Sequence, residues 1–123
     1  KMHAPTLTKI NAKRNFHKLL EDNPGVFIIK FHATWCGPCK KIEKDVEEYV
    51  NGMHMNVQCA IVDVDECMEV YGFLRTKKMV KAIPALLAYY NGNTSYIPDE
   101  FVCSSDKKDV QIFFDTCLEE ANA

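Results

Sequence analysis

The stretch Ala33-Thr34-Trp35-Cys36-Gly37-Pro38-Cys39-Lys40 constrains this chain more than any other, because of what flanks it. Just before it, Val26-Phe27-Ile28-Ile29 is a continuous apolar run that Phe31 extends past Lys30. Such a run suits a strand buried on both faces, as at the centre of a partly parallel sheet. Just after it, Ile42, Val46, Tyr49 and Val50 recur at helical spacing up to Asn51-Gly52. The two cysteines therefore sit where a buried strand hands over to a helix. Pro38 falls in the first helical turn, where proline is tolerated. Gly37 is expected to allow the turn and Pro38 to stiffen it.

Three chemistries compete for such a pair. Structural zinc wants four ligands, usually from two pairs. There is no second C-x-x-C, and His3, His17, His32 and His54 show no metal spacing. A permanent disulfide across two residues constrains very little chain. Thiol–disulfide exchange fits the position better. The thiolate is the reactive form, and it is scarce for an ordinary cysteine at neutral pH. Unpaired N–H groups and the positive dipole end at a helix N-terminus favour it. Cys36 is thus read as the nucleophile. Cys39, one turn inward, is read as the thiol that resolves the mixed disulfide. Trp35, the chain's only tryptophan, would shield the pair and offer an apolar contact surface.

Elsewhere the pattern is of alternating strands and helices. Thr6 to Ile10 reads as a short strand, and Asn11 as the cap of a helix carrying Phe16, Leu19 and Leu20. Asn23-Pro24-Gly25 ends that helix. Val57, Cys59, Ile61 and Val62 mark a second apolar strand, followed by a helix from Asp63 to Leu74. Ile83-Pro84 leads into a strand over Ala85 to Tyr90. Asn91-Gly92 signals a hairpin turn, with a return strand from Thr94 to Val102 broken at Pro98. Ser105 is expected to cap a last helix with Val110, Phe113, Phe114, Cys117, Leu118 and Ala121 in one stripe. The expectation is an α/β fold, a central mixed β-sheet with helices on both faces.

With 123 residues, 47% of them hydrophobic, the chain supports one core. Residues 1–5 read as a tail, and 6–123 as a single domain. Lys1 precedes Met2, so Met2 is expected to be the natural start. A net charge of −2 and no Arg/Lys run among aromatics exclude nucleic acid as the expected partner. No apolar stretch is long enough to span a membrane. Six cysteines form no obvious staple framework in a chain rich in core aliphatics. A reducing, cytoplasmic setting is expected. Cys59 and Cys117 fall on apolar faces and read as core. Cys67 and Cys103 are candidate regulatory thiols.

The ATWCGPCK stretch resembles the active-site sequence of thioredoxins in its eukaryotic form. The apolar strand before it, Val62-Asp63-Val64-Asp65 before a helix, and Ile83-Pro84 opening a strand that turns at Asn91-Gly92 agree in order and spacing. The resemblance covers about Thr6 to Glu120. It implies the thioredoxin fold and a monomeric protein-disulfide reductase that takes electrons from a thioredoxin reductase and needs no metal or organic cofactor. It implies a cis proline at Pro84 facing the cysteines. It also implies a docking surface of Trp35, Gly37, Pro38, Ile83 and Pro84 for disulfide-bearing protein substrates.

The chain departs from the family pattern at Lys30, where thioredoxins usually carry a buried aspartate. A lysine there either snorkels to the surface or lies near Cys39 and re-poises the pair toward oxidation or isomerisation. His32 is read as a satisfied histidine. The Asp65–Pro84 and Thr94–Phe101 segments look longer than usual beside the expected groove. A thioredoxin-fold interaction module with weak turnover is the alternative of another class.

Overall fold

A computed structural model describes residues 4–123. The elements follow in the order α1 (Lys13–Glu21), β1 (Val26–His32), α2 (Gly37–Asn51), β2 (Val57–Asp63), α3 (Met68–Thr76), β3 (Ala85–Tyr90), β4 (Glu100–Val102) and α4 (Lys107–Asn122). The four strands form one sheet in the order β2-β1-β3-β4. β1 pairs parallel with β2 from Val26↔Val57 to His32↔Asp63. β3 runs antiparallel to both β1 and β4. This is the mixed sheet that the doubly apolar run at β1 calls for.

Alternation along β1 feeds two cores. Phe27, Ile29 and Phe31 pack with Phe16 and Leu20 of α1, Val70 and Leu74 of α3, and Tyr89. Val26 and Ile28 pack with Ile42, Val46 and Val50 of α2 and with Phe113, Phe114 and Cys117 of α4. The helices thus lie on both faces, as expected. Lys30 interrupts the apolar run from Val26 to Phe31, and it is 3% exposed.

Several boundaries differ from the sequence reading. The strand expected over Thr6–Ile10 is reduced to a bridge between Leu7 and Ala60. Leu7 makes both bonds of that bridge, its N–H to Cys59 and its C=O from Ile61. Pro5 has no N–H to extend the ladder, and beyond Thr8 the chain bends so that Ile10 enters the core. Asn11 does not cap α1; the N-cap is Ala12, with no side-chain bond. The first helical N–H, of Lys13, instead donates to the Glu69 carboxylate of α3 at 2.9 Å.

The third helix begins at Met68 rather than Asp63. β2 continues through Asp63, whose carboxylate then takes the Asp65 N–H in a turn at 2.8 Å. The long return strand shrinks to β4. Asn93, Ser95 and Asp99 side chains satisfy the backbone of the intervening loop, so it has no need of a ladder. Gly92 takes φ 94°, where glycine is at ease, but the turn it makes opens this longer loop and not a tight hairpin. The last helix is capped by Asp106, not Ser105; its carboxylate accepts from Lys108 and Asp109 N–H groups. The stripe expected on α4 is buried at Val110, Phe113, Phe114, Cys117 and Ala121. Lys1 and Met2 lie outside the described residues.

Candidate active site

The site grows from the C-terminal ends of β1 and β2. The His32 carbonyl accepts the Val64 N–H at 2.8 Å, which fastens the loop after β2 to the end of β1. Beyond His32 the chain turns, with the Cys36 N–H donating to the Ala33 carbonyl at 3.2 Å. Cys36 then caps α2 with extended backbone, and its Sγ accepts the Cys39 N–H at 3.2 Å. One of the helix's orphan donors is therefore spent on sulfur, which is the arrangement that favours a thiolate. Pro38 lies in the first turn, where its missing N–H costs nothing.

Cys36 and Cys39 are joined by a disulfide, with Cα atoms 5.3 Å apart. Both are largely enclosed. Gly37 is not required by the turn, contrary to the sequence reading. Its backbone is helical, and a Cβ there would meet nothing within 4 Å.

Trp35 stands beside the pair with 67% exposure, and its indole N–H donates to the Asp65 carboxylate at 2.8 Å. Asp65 stands in the sequence within the step from strand to helix. Nothing in its spacing from Trp35 announced the contact, which the fold makes across 30 residues. The other wall is the segment before β3. The Ile83 carbonyl oxygen lies 3.9 Å from Cys36 Sγ, and the Ile83–Pro84 peptide is cis. Cys36, Cys39, Trp35, Ile83 and Pro84 are thus brought together.

Lys30 lies apart from that surface, inside the sheet. Burial depresses its pKa below 10.5, and Glu43, one turn beyond Cys39 on α2, pulls it back up. Among the described residues no fully enclosed side-chain nitrogen or oxygen lacks a partner. His32 is half-buried, and its pKa is lowered by burial and then by Lys30.

The other thiols separate by environment. Cys59 and Cys117 are buried, and burial pushes both up to about 12, as inert core sulfurs. Cys67 is 2% exposed and donates its S–H to the Ile10 carbonyl at 3.1 Å. Its pKa is raised by burial, so the thiol expected to serve regulation is enclosed and weakly ionised. Cys103 is exposed. No cluster of three or more His, Cys, Asp or Glu among the described residues is arranged to hold a metal ion. No helix among them is long and apolar enough to cross a membrane.

The thioredoxin family model matches residues 7–116. Mitochondrial thioredoxin of Mus musculus is 35% identical over 86 residues, which are 70% of this chain and 48% of the mouse protein. Probable thioredoxin-2 of Caenorhabditis elegans is 31% identical over 93 residues, 73% of this chain and 59% of the worm protein. The chain thus spans about half the length of these relatives. Among solved structures, thioredoxin of Malassezia sympodialis superposes with a TM-score of 0.71 at 24% identity, covering 98% of this chain and 97% of that one. Reduced thioredoxin of Schistosoma mansoni gives 0.69 at 26% identity, covering 91% and 98%.

Proposed function

The chain belongs to the thioredoxin family, and on that footing we propose that it reduces disulfides in protein substrates by dithiol–disulfide exchange. The observation that carries this is the Cys36 sulfur at the N-cap of α2, accepting a backbone N–H with the Ile83 carbonyl beside it. The Cys36 thiolate attacks one sulfur of the substrate disulfide. A Cys36–substrate bond forms, the substrate S–S bond breaks, and the released thiolate takes a proton from solvent. Cys39, having given up its proton, then attacks Cys36 Sγ. The Cys36–Cys39 bond forms and the second substrate thiol leaves. Two electrons and two protons pass from the chain to the substrate.

Trp35, held by Asp65, gives the substrate an apolar surface. The Ile83 backbone, its carbonyl 3.9 Å from Cys36 Sγ, would receive an extended substrate segment. A thioredoxin reductase is the proposed electron donor, and the chain is proposed to act as a monomer. Four cysteines outside the redox pair that form no disulfide suit a reducing compartment, and the cytoplasm is the one proposed.

Lys30 supports one second reading, an oxidase or isomerase on the same fold. What supports it is that Lys30 is buried and interacts with Glu43, one turn beyond Cys39 on α2; in its protonated form it would favour a thiolate at that end of the helix and so weaken the drive to form the disulfide by reducing others. The equilibrium reduction potential of the Cys36–Cys39 pair decides between them. About −270 mV is the thioredoxin value, and about −120 mV is that of a strong oxidant of related fold. A potential near the first supports the reductase. A potential well above it gives the site to oxidation or isomerisation. The Lys30→Met variant would then move the potential back down.

A further inference from the structure

We propose that a cleft beside the redox pair selects substrates whose disulfide is flanked by an apolar side chain and acidic residues. The proposal rests on the reductase reading and names the substrate class for it. The cleft, about 280 Å³, lies between the segment after α3 and the edge strand β4. Met79, Ile97 and Phe101 line it, with Cys103 beside Phe101 on the same side of the strand. Ile97 is 53% exposed and Phe101 67% exposed, although both are large and apolar. The neighbouring Val102 turns the other way, into the core against α4.

Position ties the cleft to the chemistry. Lys81 precedes Ile83 by two residues, so their Cα atoms lie within about 7 Å, and the Ile83 carbonyl is 3.9 Å from Cys36 Sγ. On the other side, Val102 pairs with Leu86, so Cys103 follows on alongside Ala85 and Pro84. A segment extended across Ile83 meets the cleft within a few residues of its own cysteine.

Charge defines the occupant. Between Val70 and Pro98 the sequence carries Arg75, Lys77, Lys78 and Lys81, and no Asp or Glu. The whole chain has a net charge of −2, so this is a basic island in an acidic protein. Lys78 and Lys81 line the cleft and are exposed. Neither is in an ion pair among the described residues, where the pairs are His17–Glu21, Lys18–Asp22 and Lys107–Asp45. The first acids beyond it are engaged elsewhere: Asp99 accepts the Tyr90 N–H, and Glu100 the Tyr90 hydroxyl.

A second observation concerns Lys78 itself. It takes φ 65°, the left-handed region that glycine occupies without strain. A long cationic side chain is thus presented at a place where the backbone alone would select glycine, and strain of that kind collects at functional sites.

The test uses two peptides, each closed by one disulfide and identical except for Leu-Glu-Glu or Leu-Lys-Lys beside one cysteine. At low salt the acidic peptide is expected to be reduced with about tenfold higher kcat/KM, and the difference to shrink as salt rises. The Lys78→Glu, Lys81→Glu double variant is expected to reverse the preference, with its amide NMR spectrum showing an intact fold. Cysteine-free versions of the peptides are titrated into isotope-labelled protein. The acidic one is expected to shift the amides of 78–81 and 97–103. Equal rates for the two peptides, a preference that survives in the double variant, or shifts confined to other segments would overturn the proposal. Reduction of a small neutral disulfide by the unaltered protein reports separately on the reductase reading. If that fails while the acidic peptide still shifts the cleft amides, the cleft stands and the reductase does not.

Discussion

The carbonyl oxygen of Ile83 lies 3.9 Å from the Sγ of Cys36, so the backbone that would receive a substrate strand and the sulfur that would attack it form one surface. Cys39 faces Cys36 from within the first turn of α2 and is 3% exposed. The two cysteines should therefore fail differently. Cys39→Ser keeps the nucleophile and loses the resolving step, so it should accumulate a mixed disulfide with a substrate peptide, visible as a mass increase that a reductant removes. Cys36→Ser should show no such adduct and no turnover. Equal trapping by both variants would remove the assignment of roles.

Lys30 should cost stability at neutral pH. Its folded-state pKa is depressed by burial below the ordinary 10.5, so between those two values the unfolded chain binds more protons than the folded one. Stability therefore rises with pH across that window, and the penalty is fully present below it. Lys30→Met keeps an unbranched side chain and removes the charge. It should raise stability by about 1 kcal/mol at pH 7, with the gain fading as pH approaches 10.5. Urea denaturation of both proteins at pH 7 and at pH 10 measures this. A gain that is the same at both pH values would mean that packing, not charge, is responsible.

The centre of the fold was legible because burial there repeats in sequence. The run from Val26 to Phe31 has no polar face to offer, which forces helices onto both sides of the sheet. The last helix was equally plain, since one stripe of apolar residues has nowhere else to go. The failures lie where polar side chains compete with backbone ladders. Asn93, Ser95 and Asp99 hold a loop where alternation reads as strand. Glu69 supplies the bond at the start of α1 that Asn11 was expected to make. Such contacts join residues far apart in sequence, and spacing carries no trace of them. Within the site, the cysteines and the residues before β3 were legible, whereas Asp65 as the anchor of Trp35 was not. The cleft at Phe101 arises from two segments read only as longer than usual.

Asn23 shows what one such contact is worth. It is 3% exposed, donates its amide to the Tyr89 carbonyl at 2.7 Å, and accepts the Gly25 N–H at 3.0 Å. Together these bonds tie the turn before β1 to the end of β3. Asn23→Ala takes a donor from the Tyr89 carbonyl and the acceptor from the Gly25 N–H, and leaving a buried polar group short of a partner costs more than the net worth of the bond itself. The expected loss is about 2 kcal/mol, read as a lower urea midpoint with an unchanged slope. The redox potential of Cys36–Cys39 should not move, because the site lies at the opposite end of β1.

Lys78 closes α3 in a Schellman arrangement: the Met79 N–H donates to Leu74 and the Lys78 N–H to Arg75, both at 2.9 Å. The residue between must be left-handed, and an L-residue with a Cβ pays about 1 kcal/mol there. Lys78→Gly should therefore stabilise the chain by about that amount, provided that the greater freedom of glycine in the unfolded state does not offset it. Lys78→Ala separates the causes, since it deletes the same charge but keeps the Cβ. If relief of backbone strain is the reason, glycine stabilises and alanine does not. If both stabilise equally, the gain comes from thinning the basic island around Arg75, Lys77 and Lys81. In either case the glycine variant should lose part of the preference for the acidic peptide. A more stable protein that discriminates less would identify Lys78 as a residue kept for what it binds.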